Sequence, residues 1–189
     1  MSNKAKTVPP GTGISKSGPA KNAGKNKKKG GGGRKGKKAK KKKKKEMKCG
    51  ENGKYGDLKK KTGKGKFDRD HVPSKAALKS FARKECNGGA ELCKLQKKAI
   101  ENIGAAIAIP KGVHSQYSPT YGGNNTDARI KEDAGDLQAA AKRDTKDVSG
   151  GMKNPCKKKY DSWAKKVTKM TNADYKKVLK GAIKPFKPK

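Results

Sequence analysis

The sequence has almost no histidine, few acids and no long apolar run. Its 189 residues include two histidines, His71 and His114, and one tryptophan, with 16 Asp and Glu against 52 Lys and Arg for a net charge of +36. No stretch approaches the roughly 20 apolar residues that span a bilayer. The opening MSNKAKTVPPGTGISKSG lacks the apolar segment of a secretory signal peptide. Synthesis in the cytoplasm is therefore expected, with any export using a route that reads no such signal. The four cysteines, Cys49, Cys86, Cys93 and Cys156, contain no Cys-x-x-Cys pair and have no histidine close by, which argues against a structural zinc site. Cys86 and Cys93 flank the turn-like NGGAEL, so a local disulfide is open to them in an oxidising compartment. Ordinary thiols are the plainer expectation.

What the chain has is lysine, unevenly spread. Residues 1–54 carry 20 Lys and Arg, two acids and no aromatic side chain. Six consecutive lysines, Lys40 to Lys45, repel one another, and the surrounding glycines remove any helix preference. Residues 1–48 read as a disordered Lys/Gly-rich tail, either a loose binder of nucleic acid phosphates or a solubilising linker. Residues 55–189 hold all nine aromatic side chains and are long enough to bury one small core, so the folded domain is expected over 49–189. A positive balance of this size points to polyanions: DNA, RNA or an anionic membrane surface. The membrane is the weakest of these, because no helix pairs a basic face with a wide apolar one.

Local signals predict a mostly helical α+β domain. Asp57 is a candidate cap for a short helix from Leu58. Phe67 starts an extended piece leading to Asp70 and His71, and Val72 before Pro73 stays extended. Ser74 is a good N-cap for KAALKSFARKE, with Ala77, Leu78 and Phe81 on one face. A second helix is expected over about 90–102, with Leu92, Leu95, Ala99 and Ile103 on its apolar stripe. AAIAIP, residues 105–110, is the clearest strand. A helix over Asp127 to Lys146 would align Ile130, Ala134, Leu137 and Ala141. Two basic helices, within residues 156–184, close the chain. Tyr160 and Trp163 on the first are candidates for stacking on bases, and Thr171 with Asp174 forms a capping box for the second.

The two histidines sit in the segments most suggestive of chemistry. Hydrolysing a phosphodiester needs a cation to neutralise developing charge, a base to activate water, and cations to hold the backbone. Asp70 and His71 are adjacent on an extended segment, so they point to opposite sides or splay around a turn: one can bind metal while the other faces the phosphate. A strand and then His114 at the start of a helix follow. That order describes a β–β–α finger with a helical insertion in its hairpin. The plainer reading makes DRD a charged turn among lysines, the histidines incidental, and the chain a non-enzymatic lysine-rich nucleic-acid-binding protein.

YGDLK, FDRDHVPSKAAL and AIAIPKGVHSQYSPTYGG, in that order over roughly residues 53–146, resemble the nuclease toxin domains of bacterial polymorphic toxins. These belong to the HNH or His-Me finger (ββα-metal) superfamily. The resemblance implies a metal-dependent endonuclease acting on DNA, with RNA as the alternative substrate, and a toxin effector acting in a target cell. It implies His71 as general base, Asp70 and His114 as ligands of Mg²⁺, Mn²⁺ or Zn²⁺, and Arg69 and Lys111 as phosphate contacts. Many relatives carry His-His where this chain has Asp-His. Asn124 and Asn125 are the candidates for the asparagine of the HNH pattern. An acidic immunity protein is the partner such a basic toxin would need.

Overall fold

Three short strands, β1 (Asn52–Lys54), β2 (Phe67–His71) and β3 (Ala105–Pro110), form an antiparallel sheet in the order β1–β3–β2. The computed structural model describes residues 44–186. β3 is the apolar run expected to be a strand, and Ala106 to Ile109 are fully buried because it is central. Pairing sets Asp68 opposite Ile109, Asp70 opposite Ile107 and His71 opposite Ala106. Directly opposed residues share a face. One face therefore carries Asp68 and Asp70 beside Ile107 and Ile109. The other carries Arg69 and His71 beside Ala106 and Ala108.

Each face has its own apolar cover. Ile107 and Ile109 join Val72, Val148, Tyr160 and Trp163 in one cluster. Ala106 and Ala108 meet Met47 and Leu58 on the other side, where a short helix, α1 (Tyr55–Leu58), lies close. Between β2 and β3 the chain makes two helices, α2 (Lys75–Cys86) and α3 (Lys94–Ile103); after β3 comes α4 (Lys111–Tyr117), which packs on both strands. The Ser74 hydroxyl accepts from the Ala77 amide at 3.2 Å and caps α2 as expected. Leu78, Phe81 and Ile100 then build a helical core with Leu179 and Ile183.

Four more helices complete the domain: α5 (Asp127–Asp133), α6 (Leu137–Gly151), α7 (Cys156–Val167) and α8 (Asn172–Ile183). The mostly helical α+β class is thus the observed one. Among the described residues no helix is long and apolar enough to cross a membrane.

Several local expectations need correction. The helix expected over 127–146 is two, because Asp136 accepts from the Ala139 amide at 3.0 Å and starts α6 afresh. α3 starts at Lys94, four residues later than expected, since the Gln96 side chain accepts from the Cys93 amide and closes a capping box there. Leu95 consequently faces solvent, 56% exposed. Asp57 lies inside α1 and caps nothing. Tyr160 and Trp163 are buried in the sheet-facing core and present no ring for stacking on bases. The Thr171–Asp174 capping box forms as read. Of the tail expected over 1–48, residues 1–43 lie outside the described residues, while Met47 is buried and its amide donates to the Thr62 carbonyl at 2.8 Å.

The cysteines pair differently from either expectation. Cys49 and Cys156 form a disulfide, with Cα atoms 5.6 Å apart and 107 residues between them in sequence. Cys86 and Cys93 are not joined, and the Cys86 thiol is 3.7 Å from the Lys176 carbonyl. A second constraint lies in α6. Arg143 is clasped by two buried carboxylates, Asp133 at 2.8 Å and Asp144 at 2.7 Å. Burial pushes the Asp144 carboxyl up to about 7 against the pull of Arg143, with the charges of Asp133 and Asp70 adding to the rise.

Two stability predictions follow from these features. Reducing the disulfide, or Cys156→Ser, is expected to cost about 2–4 kcal/mol, read from denaturant midpoints; reductant should leave the variant's midpoint unchanged. The folded state holds the Asp144 proton more tightly than the unfolded chain, so this group's contribution to stability falls as pH rises from about 4 to about 7. Asp144→Asn keeps an acceptor for Arg143 and cannot ionise. Its advantage over the wild type should grow across that window and level off above it, as measured by thermal unfolding.

Candidate active site

β2 is an edge strand, so one flank of it has no neighbouring strand. A cavity of about 420 Å³ opens beside it, and Arg69, Asp70, His71 and His114 all line it. The edge position lets residues from both faces of the sheet reach one space.

His114, on α4, lies between two carboxylates. Its Nδ1 is 3.3 Å from Asp68 Oδ2 and its Nε2 3.4 Å from Asp70 Oδ1. Tyr121 meets the imidazole edge-on at 4.7 Å between ring centroids. Burial is the largest single influence on His114 and lowers its pKa; the bonds and charges of Asp70 and Asp68 together outweigh it and raise it.

His71 is held on the opposite face. Its Nε2 lies 2.9 Å from the Glu101 carbonyl oxygen. A carbonyl only accepts, so Nε2 carries the proton and Nδ1 keeps a bare lone pair. The Tyr55 ring packs on the imidazole at 4.6 Å. Burial first, then the charges of Lys75, Lys79 and His114, push the His71 pKa down to about 3. The ring is neutral at physiological pH.

Among the described residues no group donates to Asp70 Oδ2, His71 Nδ1 or Asn125 Oδ1, although all three atoms are buried and their residues line this cavity. All three are acceptors. A buried acceptor left unpaired costs about 1–3 kcal/mol, so a cavity ringed by them favours a ligand that brings donors or positive charge.

A divalent cation fits this donor chemistry. Among the described residues no group of three or more His, Cys, Asp or Glu is disposed to hold a metal ion. The chain offers the pair Asp70 and His114. Their 3.4 Å separation matches the roughly 3.0–3.4 Å expected between neighbouring ligands of one small cation. In the neutral tautomer whose Nδ1–H donates to Asp68, the lone pair of Nε2 faces Asp70, the arrangement a metal ligand needs. Two protein donors suit a cation whose other positions belong to water and phosphate oxygens.

The structure thus gathers four of the five expected residues at one cavity and leaves the fifth out. Lys111 is exposed on α4 and does not line it. Arg69 does, but its guanidinium donates to the carbonyls of Leu58, at 2.9 Å from Nε, and of Lys61. Of the two candidate asparagines, Asn124 is exposed, whereas Asn125 lines the cavity with its Nδ2 3.4 Å from the Ser74 hydroxyl. Sequence reading missed Asp68, although it stands two residues before Asp70, the spacing that puts both on one face of a strand. Tyr55 and the Glu101 carbonyl, which hold His71, carry no sequence signal of that role.

Comparison with known proteins gives a partial match. No family model matches the chain, and no solved structure matches it. It is similar to Deoxyribonuclease CdiA of Dickeya dadantii (strain 3937), with 39% identity over 94 residues. The match takes in 49% of this chain and 3% of that protein, so the chain spans a small fraction of the length of the curated relative.

Gly104 gives this geometry a direct test. A Cβ on it would stand 2.3 Å from Cε1 and 2.9 Å from Nδ1 of His71. Gly104→Ala should displace the imidazole and cost about 1–3 kcal/mol. A variant that keeps the wild-type midpoint and an unshifted His71 ring signal by NMR would contradict the packing described.

Proposed function

We propose that the chain is a metal-dependent endonuclease of the HNH, or His-Me finger, type that hydrolyses DNA and serves as a toxin effector in a target cell. The observation that carries this reading is a neutral histidine with an unused Nδ1 beside a carboxylate–imidazole pair, on one cavity of a strongly basic chain. The similarity to a protein named a deoxyribonuclease supports DNA over RNA as the substrate.

Mg²⁺, Mn²⁺ or Zn²⁺ bound by Asp70 and His114 would neutralise the charge that develops on the phosphate. Asp68 keeps His114 oriented for that task. His71 takes a proton from the attacking water at Nδ1, while Nε2 stays on the Glu101 carbonyl and holds the resulting imidazolium in place. The surrounding lysines supply affinity with little base preference. An acidic immunity partner is the complement such a surface calls for.

The test is plasmid cleavage by the full chain with each cation and with EDTA. Cleavage should require the cation. His71→Ala should lower kcat by about 10²- to 10⁴-fold, and Asp70→Asn and His114→Ala should abolish the response to metal. A plasmid that is only retarded on the gel, equally by wild type and variants, would make the chain a nucleic-acid-binding protein without catalysis. An RNA substrate run in parallel decides between the two nucleic acids.

A further inference from the structure

Among the charged groups lining the cavity, three are cations, Arg69, Lys75 and Lys79, and one is a carboxylate, Asp70. The cations differ in what already occupies them. Arg69 spends its donors on main-chain carbonyls. Lys75 makes no ion pair among the described residues and lies over the Tyr55 ring, 5.6 Å from its centroid. Lys79 is 3.4 Å from Glu101, a carboxylate it shares with Lys59 at 3.8 Å. One acid between two ammonium groups leaves Lys79 under-compensated.

Lys75 and Lys79 stand four residues apart on α2, which puts them on the same side of the helix, one turn after the other. That side faces the cavity, since both residues line it together with His71. Both are near enough to the imidazole for their charges to act on it. The first turn of α2, capped by Ser74, adds the positive end of the helix dipole at the same wall.

We propose that Lys75 and Lys79 hold the DNA backbone in this cavity, receiving a phosphate on the side facing His71, and that they take the role the resemblance gives to Arg69 and Lys111. This rests on the nuclease reading and deepens it. Arg69 is then an anchor that ties β2 to the end of α1, and Lys111 lies off the path of the scissile phosphate.

The experiment compares Lys75→Ala, Lys79→Ala and the double variant with Lys75→Arg/Lys79→Arg. A charge-matched control, Lys131→Ala/Lys177→Ala, removes two exposed lysines away from the cavity. The readouts are kcat/KM on a DNA duplex and the salt dependence of duplex binding in EDTA. Each alanine variant should lower kcat/KM by roughly 10-fold, chiefly through KM. The double variant should flatten the slope of log Kd against log salt by about 2, and the arginine pair should restore most of the rate. Loss of rate in the control as large as in the double variant overturns the proposal, because net charge alone then explains the effect. Unchanged KM and slope in the double variant overturn it as well. A wild type that binds but never cleaves overturns the nuclease reading instead, and the EDTA binding series still decides whether these two lysines contact the duplex.

Discussion

The alternation of side chains along β2, locked by its pairing with β3, governs where every group of the site can stand. Asp68 and Asp70 share one face and His71 takes the other. A slip of one residue would exchange the faces and send the imidazole into the Ile107–Ile109 core. Register is therefore strongly specified. The apolar run of β3 must bury isoleucine on one side and alanine on the other, and α4 follows directly from its end to bring His114 up to the two carboxylates.

The electrostatics of the site run against those of the chain. A net charge of +36 would serve binding without any acidic cluster, yet here two carboxylates converge on one histidine at the sheet edge. The two histidines are driven in opposite directions as a result. Carboxylates raise the pKa of His114, while burial and neighbouring ammonium groups push that of His71 down to about 3. Under the nuclease reading, a proton and a metal ion would be alternative ways to offset the negative charge that Asp68 and Asp70 bring to His114.

Much of this was legible in the sequence, and the failures have physical causes. β3, the Ser74 cap and the Thr171 capping box could be read because each depends on neighbours within a few positions, whereas Arg69, Asp70, His71 and His114 were singled out by the resemblance of their segments to a known family, and their meeting at one cavity is a product of tertiary folding. The break at Asp136 was missed because an Asp cap competes with an apolar stripe that continues across it. Leu95 was misassigned because Gln96, a polar residue, takes the buried position through its capping bond. The Cys49–Cys156 link and the Arg143 clasp join residues that only tertiary folding brings together. Tyr160 and Trp163 look like a reading surface in a lysine-rich helix. They are its core face, since lysine at the intervening positions is what solvates the rest.

One feature of the His71 environment bears on how this site can change over generations. The His71 imidazole is held by the main-chain oxygen of residue 101, and its space is made by the missing side chain of residue 104. The first constraint is blind to side-chain identity, and the second penalises any side chain because it would press on the His71 ring. Variation at 101 can therefore retune the lysines around the cavity without disturbing the His71 ring, whereas any side chain at 104 displaces it. Position 101, in the last turn of α3, and position 104, at its C-terminal end, thus evolve under opposite rules.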